Sequence, residues 1–227
     1  MKPMDDSVGQ DANLRNVQVL KRVGTGLSII VFPIMLFIGF VSHPNIFSFE
    51  MIADVGTWSE EWRGNFLFHF GHLLVLFAVP LIIAASVRFM SLVKRGGVWY
   101  GFVGGVLGVF GAFMLAVDKG ALTLVLTAFQ TLPDGQFNAI TPALQALLNR
   151  AGWLWITWLF LALPLGFILQ TVGLIKEAVI PKWQGAAIIL GLLLLINPDI
   201  EIISAIGAFL MCLGFIPIGV RDLKGLL

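Results

Sequence analysis

The stretch VWYGFVGGVLGVFGAFMLAVDK, residues 98–119, decides the fold. From Val98 to Val117 it carries no charge, and about 20 helical residues cross a hydrocarbon core of about 30 Å. Gly97, Gly101, Gly104, Gly108, Gly111, Leu115 and Asp118 recur at alternating steps of four and three, which places them on one nearly continuous helical stripe. Small residues let helices approach closely in lipid, where packing drives association. This segment is therefore expected at the centre of a helical bundle, with Asp118 on its protein-facing side.

Comparable apolar runs extend outward on both sides, at Val23–Ser42, Phe66–Val87, Gly152–Ile175 and Ile200–Val220. A shorter one, Trp183–Ile196, reads as a crossing that thins the bilayer or tilts less than its neighbours, because irregular backbone cannot leave its polar groups unsatisfied in lipid. The composition agrees: 58% of residues are hydrophobic and 12% charged, against about 25% charged in soluble domains, and the mean hydropathy is +0.94. The expected fold is all-α: one membrane domain over residues 1–227, with six transmembrane helices and interfacial helices on the outer face.

Charge sets the orientation. With a cytoplasmic N-terminus, Lys2, Arg15, Lys21, Arg22, Arg88, Lys94, Arg95, Lys176, Lys182, Arg221 and Lys224 fall inside, and only Arg63, Lys119 and Arg150 outside. That bias is the positive-inside signal, and it puts both termini in the cytoplasm and the protein in the cytoplasmic (inner) membrane. The outer side holds Glu50, Asp54, Glu60, Glu61, Asp118, Asp134, Asp199 and Glu201 together with His43, His69 and His72. Trp99, Tyr100 and Trp183 sit at inner boundaries and Trp153, Trp155 and Trp158 near an outer one, where amphipathic rings anchor in the headgroup layer. The acids Asp5, Asp6 and Asp11 before the first run argue against a cleaved signal peptide. The single cysteine, Cys212, excludes an internal disulfide and a multi-cysteine metal site.

Two outer segments are long. His43–Asn65 carries Trp58 and Trp62 among four acids and suits a loop or short helix on the headgroups. Lys119–Ala151 breaks at the turn signal Pro133-Asp134-Gly135, then resumes with Phe137, Ile140, Leu144, Leu147 and Leu148 at helical spacing. It reads as a hairpin of interfacial helices, either capping the bundle or lying passively on its surface. The leader Asn13–Arg22 has no clean apolar stripe and is only weakly a helical lead-in. Pro33, Pro80 and Pro164 should each interrupt a span.

The outer end is the expected place for chemistry. Asn65, His69 and His72 share one helical face. At about 1.5 Å per residue, His69 lies about 28 Å from Arg88, Asp118 about 28 Å from Trp99, Glu201 about 30 Å from Arg221 and His43 about 31 Å from Arg22, a common depth. Asn65, His69, His72, Asp118 and Glu201 are the candidate ligand-binding residues, and Thr123, Thr127 and Gln130 align with Lys119 towards the pocket mouth. His69, His72 and Asp118 form a candidate metal set, for a divalent transition metal or haem, since two imidazoles and a carboxylate suit a first-row ion. Each has an ordinary reading beside it: the histidines as structural hydrogen-bonding groups, and Asp118 as a helix-end carboxylate near Lys119. Asn197 to Glu201 can simply start the last helix, with Asn197 as cap and Asp199 and Glu201 at the positive end of its dipole.

Three functions remain open. The leading one is a non-enzymatic protein with an outer-facing polar pocket that binds or transports a cation, a proton or a small polar ligand. The second is an intramembrane metal-dependent hydrolase or oxidoreductase. The third is a structural subunit, in which the stripe of the third span faces another copy or another chain of a membrane complex. The partners expected are the lipid bilayer and, on the third reading, another copy or chain met through the third span; no nucleic acid is indicated, since no phosphate-binding glycine loop, nucleophile elbow, His-Glu-x-x-His or basic patch outside the membrane edge occurs.

Overall fold

A computed structural model describes residues 6–49, 52–197 and 200–227. Among these residues the chain is helical, without strands: α1 Asp6–Val41, α2 Val55–Trp62, α3 Phe66–Leu92, α4 Val98–Lys119, a π-helical segment Gly120–Leu124, α5 Val125–Phe129, α6 Asp134–Ala139, α7 Thr141–Leu148, a 3₁₀ segment Gly152–Leu161, α8 Ala162–Lys176, α9 Lys182–Leu194 and α10 Glu201–Leu223. Five stretches are long and apolar enough to cross a membrane: Leu14–Val41, Phe66–Leu92, Val98–Phe129, Thr141–Lys176 and Glu201–Leu223. The sixth expected crossing forms α9, whose 13 residues fall short by that measure. Glu50, Asp199 and the charges of residues 1–5 lie outside the described residues.

The six long or apolar helices form a closed ring. α1 packs on α3, α3 on α4, α4 on α8, α8 on α9, α9 on α10, and α10 returns to α1. Phe32, Phe89, Phe167 and Phe215, one each from α1, α3, α8 and α10, fill its centre with ring centroids 5.0–5.9 Å apart. Such aromatic pairs are worth about 0.5–1.5 kcal/mol each beyond the area they bury. Phe77, Phe113, Leu190 and Leu213 point outward and are exposed, as a surface solvated by acyl chains requires.

Glycines set the helix spacing. A Cβ on Gly104 would stand 2.6 Å from the Gly166 carbonyl, and one on Gly111 would strike the Leu163 backbone. The stripe of α4 thus lies against α8 of its own chain, with Ser86 of α3 beside Gly108, and is occupied before any second chain could use it. The same device recurs where the sequence shows no long stripe: Gly39 meets Gly71 between α1 and α3, Gly26 meets Gly219 between α1 and α10, and Gly191 meets Gly207 between α9 and α10. Close approach leaves room for one polar node. Gln170, fully buried, donates to the Ser86 carbonyl at 2.8 Å.

Details of the elements depart from expectation in several places, whereas the leader forms the helical lead-in its sequence allows. The fourth apolar run is 3₁₀ over Gly152–Leu161 and becomes α-helical only at Ala162. Pro164 therefore sits in the first turn of α8, where its missing N–H costs nothing, and Pro217 is instead the proline inside the last span. α1 runs without interruption from Asp6 through the leader. Asn197 does not cap α10: its Oδ1 accepts from the Ile200 N–H, and the helix begins at Glu201. Trp58 and Trp62 do not lie on headgroups; Trp62 is fully buried, because α2, α5, α6 and α7 gather Val55, Leu126, Phe137 and Leu144 around it in a second core. That core caps one end of the ring. Arg63 fastens it, pairing with Asp134 at 2.8 Å and lying over the Phe137 ring at 4.2 Å.

Candidate functional site

Beneath the cap lies a cavity of about 300 Å³. Its walls come from the end of α1, from α2, α3 and α10, from the junction of α4 with the π segment, and from the turn before the 3₁₀ run.

His43 follows α1 by two residues, and its side chain is 9% exposed. Nδ1 stands 3.1 Å from Glu201 Oε1, an ion-pair distance without hydrogen-bond alignment. Burial, then the nearby Lys119 ammonium, pulls the imidazole down to about 3. Glu201 pulls the other way across the short contact, but desolvation of a charged ring dominates, so the neutral imidazole is the form at physiological pH. Its ring packs 4.8 Å from His72 and 5.0 Å from Phe68. His72 Nδ1 lies 2.9 Å from the Phe68 carbonyl. A carbonyl only accepts, so Nδ1 carries the proton and Nε2 of the neutral ring is the bare nitrogen.

Asp118, 2% exposed, closes the last turn of α4. Arg150 Nη1 is 2.9 Å and Lys119 Nζ 3.7 Å from its carboxylate oxygens. Arg150 has φ +49, a left-handed conformation that costs a side-chain-bearing residue about 1–2 kcal/mol. The guanidinium stacks 4.4 Å over the Trp158 ring and donates to Thr157 Oγ1. After Lys119 the helix widens into the π segment, a rare geometry that recurs at functional sites. Within it Thr123 is buried, its hydroxyl lacks a hydrogen-bond partner, and it lines the cavity. On the cap side, Glu61 accepts from Asn45 Nδ2 at 2.9 Å; burial pushes its carboxyl up, and the Asn45 amide pulls it partly back.

Of the residues expected at the site, His72, Asp118 and Glu201 line this one cavity, as does Thr123. Asn65 does not: it is the N-cap of α3, accepting from the N–H groups of Leu67 and Phe68 at 3.1 and 3.3 Å. Nor does His69, which is buried against the cap with Nε2 3.0 Å from the Trp62 carbonyl. Thr127 turns to the Leu124 carbonyl, and neither it nor Gln130 lines the cavity. Among the described residues no three His, Cys, Asp or Glu side chains converge as a metal-binding group, so His69, His72 and Asp118 do not assemble as one.

His43, Glu61 and Arg150 were not expected at the site. A signal for Arg150 was present: it is one of the three cations on the cation-poor side, and such a residue needs an acid at membrane depth. His43 shares the depth of the others, but only the fold shows that the turn after α1 bends it inward. Comparison of the chain with protein-family models, with curated proteins and with solved structures finds no match.

Proposed function

We propose that the chain is one membrane domain with six crossings in a cytoplasmic membrane, both termini cytoplasmic and the cap outward, and that the capped cavity binds a small polar ligand without catalysing a reaction, as a binding protein or the binding site of a transporter. The positive-inside bias supports the orientation. The place of α9 between α8 and α10 in the closed ring supports its being a crossing, in a locally thinned bilayer.

One observation carries the reading. Glu61, Asp118, Glu201, Lys119, Arg150, His43 and His72 line a single roofed cavity, with a volume at the lower end of the roughly 300–1,000 Å³ of ligand pockets. Ionisable groups held at membrane depth are default functional candidates. Three carboxylates and two cations line it together, so among the ligands considered the mixed walls favour a small molecule bearing both signs or neutral polar groups. Among the described residues the metal-enzyme reading lacks a converging ligand set, and the scaffold reading lacks its vacant stripe.

Thermal unfolding of the detergent-purified protein against small α-amino acids, neutral polyols and alkali or divalent cations tests this. A zwitterion or neutral probe at about 100 times its Kd should stabilise by about 2.7 kcal/mol. His72→Ala and Asp118→Asn should each abolish most of that gain, and the double variant should lose little more. Stabilisation by cations alone, or independent and small effects of the two substitutions, would refute it.

A further inference from the structure

The other end of the ring carries a larger cavity, of about 840 Å³, between the α3–α4 loop, the end of α8 and the end of α10. Lys94, Arg95, Lys176 and Arg221 line it together with Glu177. None of the four cations has a carboxylate within ion-pair distance among the described residues. The acid in their midst is engaged elsewhere: the Glu177 carboxylate accepts from the backbone N–H groups of Lys94 at 2.8 Å, of Gly97 at 3.0 Å, and of Arg95. Those bonds, the Lys94 one foremost, hold its carboxyl below the usual range and fold the loop so that both basic side chains stand at the cavity. Lys176 rests on Tyr100 and Arg221 donates to the Val179 carbonyl, so neither charge is neutralised.

The surroundings are apolar on both sides of this charge. Leu92, Val179 and Leu226 contribute to the cavity wall. Across the same loop an apolar crevice of about 400 Å³ opens along α3 and α4, lined by Met90, Val93, Val98, Trp99 and Phe102. An anionic group held by four cations with an apolar track beginning one loop away is the recognition pattern of an amphiphile, and basic pockets between helices at a membrane edge suit phospholipid headgroups.

We infer that this cavity is a binding site for an anionic phospholipid, with the headgroup phosphate among Lys94, Arg95, Lys176 and Arg221 and an acyl chain along the Val93–Phe102 crevice. The site is separate from the capped cavity and does not depend on its ligand. Lys94 and Arg95 are the probes, because among the described residues their side chains make no hydrogen bond or ion pair. Titration of the full chain in neutral detergent with phosphatidylglycerol, followed by native mass spectrometry and thermal unfolding, should show saturable binding that phosphatidylcholine does not reproduce. Lys94→Gln/Arg95→Gln should weaken it about 30-fold, from a factor of about five for each lost basic contact, while leaving the unfolding temperature without added lipid unchanged. Equal binding of the two lipids, an unaltered affinity in the double variant, or protection by inorganic phosphate matching that by lipid would each overturn the inference, the last by assigning the site to a soluble anion.

Discussion

Asp118→Asn keeps the shape of the side chain and removes its charge. In the fold this carboxylate is buried and compensates two cations, Arg150 at 2.9 Å and Lys119 at 3.7 Å. Its loss leaves both beneath the cap without that counter-charge, and breaking a buried pair from one side costs about 3–5 kcal/mol; Lys119 is 23% and Arg150 13% exposed, so the low end, about 3 kcal/mol, is expected. Arg150→Gln is milder, about 1–2 kcal/mol, because Asp118 retains Lys119 and the main losses are one charge pair and the stack on Trp158. At about 2–4 °C per kcal/mol for a chain of this size, the unfolding midpoint should fall by about 6–12 °C for Asp118→Asn and about 2–8 °C for Arg150→Gln. The double variant should fall by less than the sum. Arg150→Gly should be more stable than Arg150→Ala by about 1 kcal/mol, since only glycine adopts φ +49 without strain. Intrinsic tryptophan fluorescence of detergent-purified protein reads all five variants. Arg150→Gln costing more than Asp118→Asn, or strict additivity, would show that Asp118 is not the shared partner of two cations.

Gly104→Leu and Gly108→Leu should lower the unfolding temperature and the yield of folded protein, each by the 1–3 kcal/mol of overpacking or more, while Gly120→Leu, which meets nothing within 4 Å, should be tolerated; equal tolerance would deny the α4–α8 contact. Because His43 titrates at about 3 in the fold and 6.5 when unfolded, the unfolded chain binds the extra proton, so its share of stability is complete above about pH 6.5 and is lost as pH falls towards 3. His43→Gln should flatten that acid limb, and an unchanged limb would place the titration elsewhere. Cysteines at Asp54 and Asp134 should react with impermeant reagents from outside intact cells and cysteines at Lys94 and Lys182 should not; outside labelling at 94 would invert the proposed orientation.

The helices were legible because lipid imposes a simple rule on them: apolar runs of sufficient length mark α3, α4 and α10 to within a few residues, and the glycine stripe marks the face of α4 that packs. What the runs do not encode is how backbone winding changes inside them. The passage from 3₁₀ to α at Ala162 coincides with Pro164 and with the close approach of Gly111 to Leu163, a tertiary contact invisible in either segment alone. Asn65 lies outside the cavity for a local reason: an Asn directly before an apolar run is first a helix cap, and its position on the His69–His72 face follows from being next to that helix start. His69 and His72 do share a face, yet one meets the Trp62 carbonyl and the other the cavity, because α2 folds back over the first turn of α3. Trp62 is buried for the same reason.

The three cations on the cation-poor side separate what holds the cap from what the cap covers. Arg63 pairs with Asp134, whose side chain is 87% exposed, and such a surface pair contributes at most about 1 kcal/mol; it secures the rim. Lys119 and Arg150 instead converge on one buried carboxylate, and three unusual backbone features meet there: the π segment directly after Lys119, the left-handed φ of Arg150, and the ten-residue 3₁₀ run that follows it. Helix packing in a membrane requires none of them, since the glycine contacts already fix the ring. Runs of 3₁₀ beyond about four residues are uncommon, and a strained φ persists only where its surroundings enforce it. Their convergence on Asp118, beside a buried threonine hydroxyl without a partner, makes that carboxylate rather than the His69–His72 pair the centre of the cavity. On the proposed function, a search for a ligand therefore begins from what Lys119, Arg150 and Asp118 leave uncompensated.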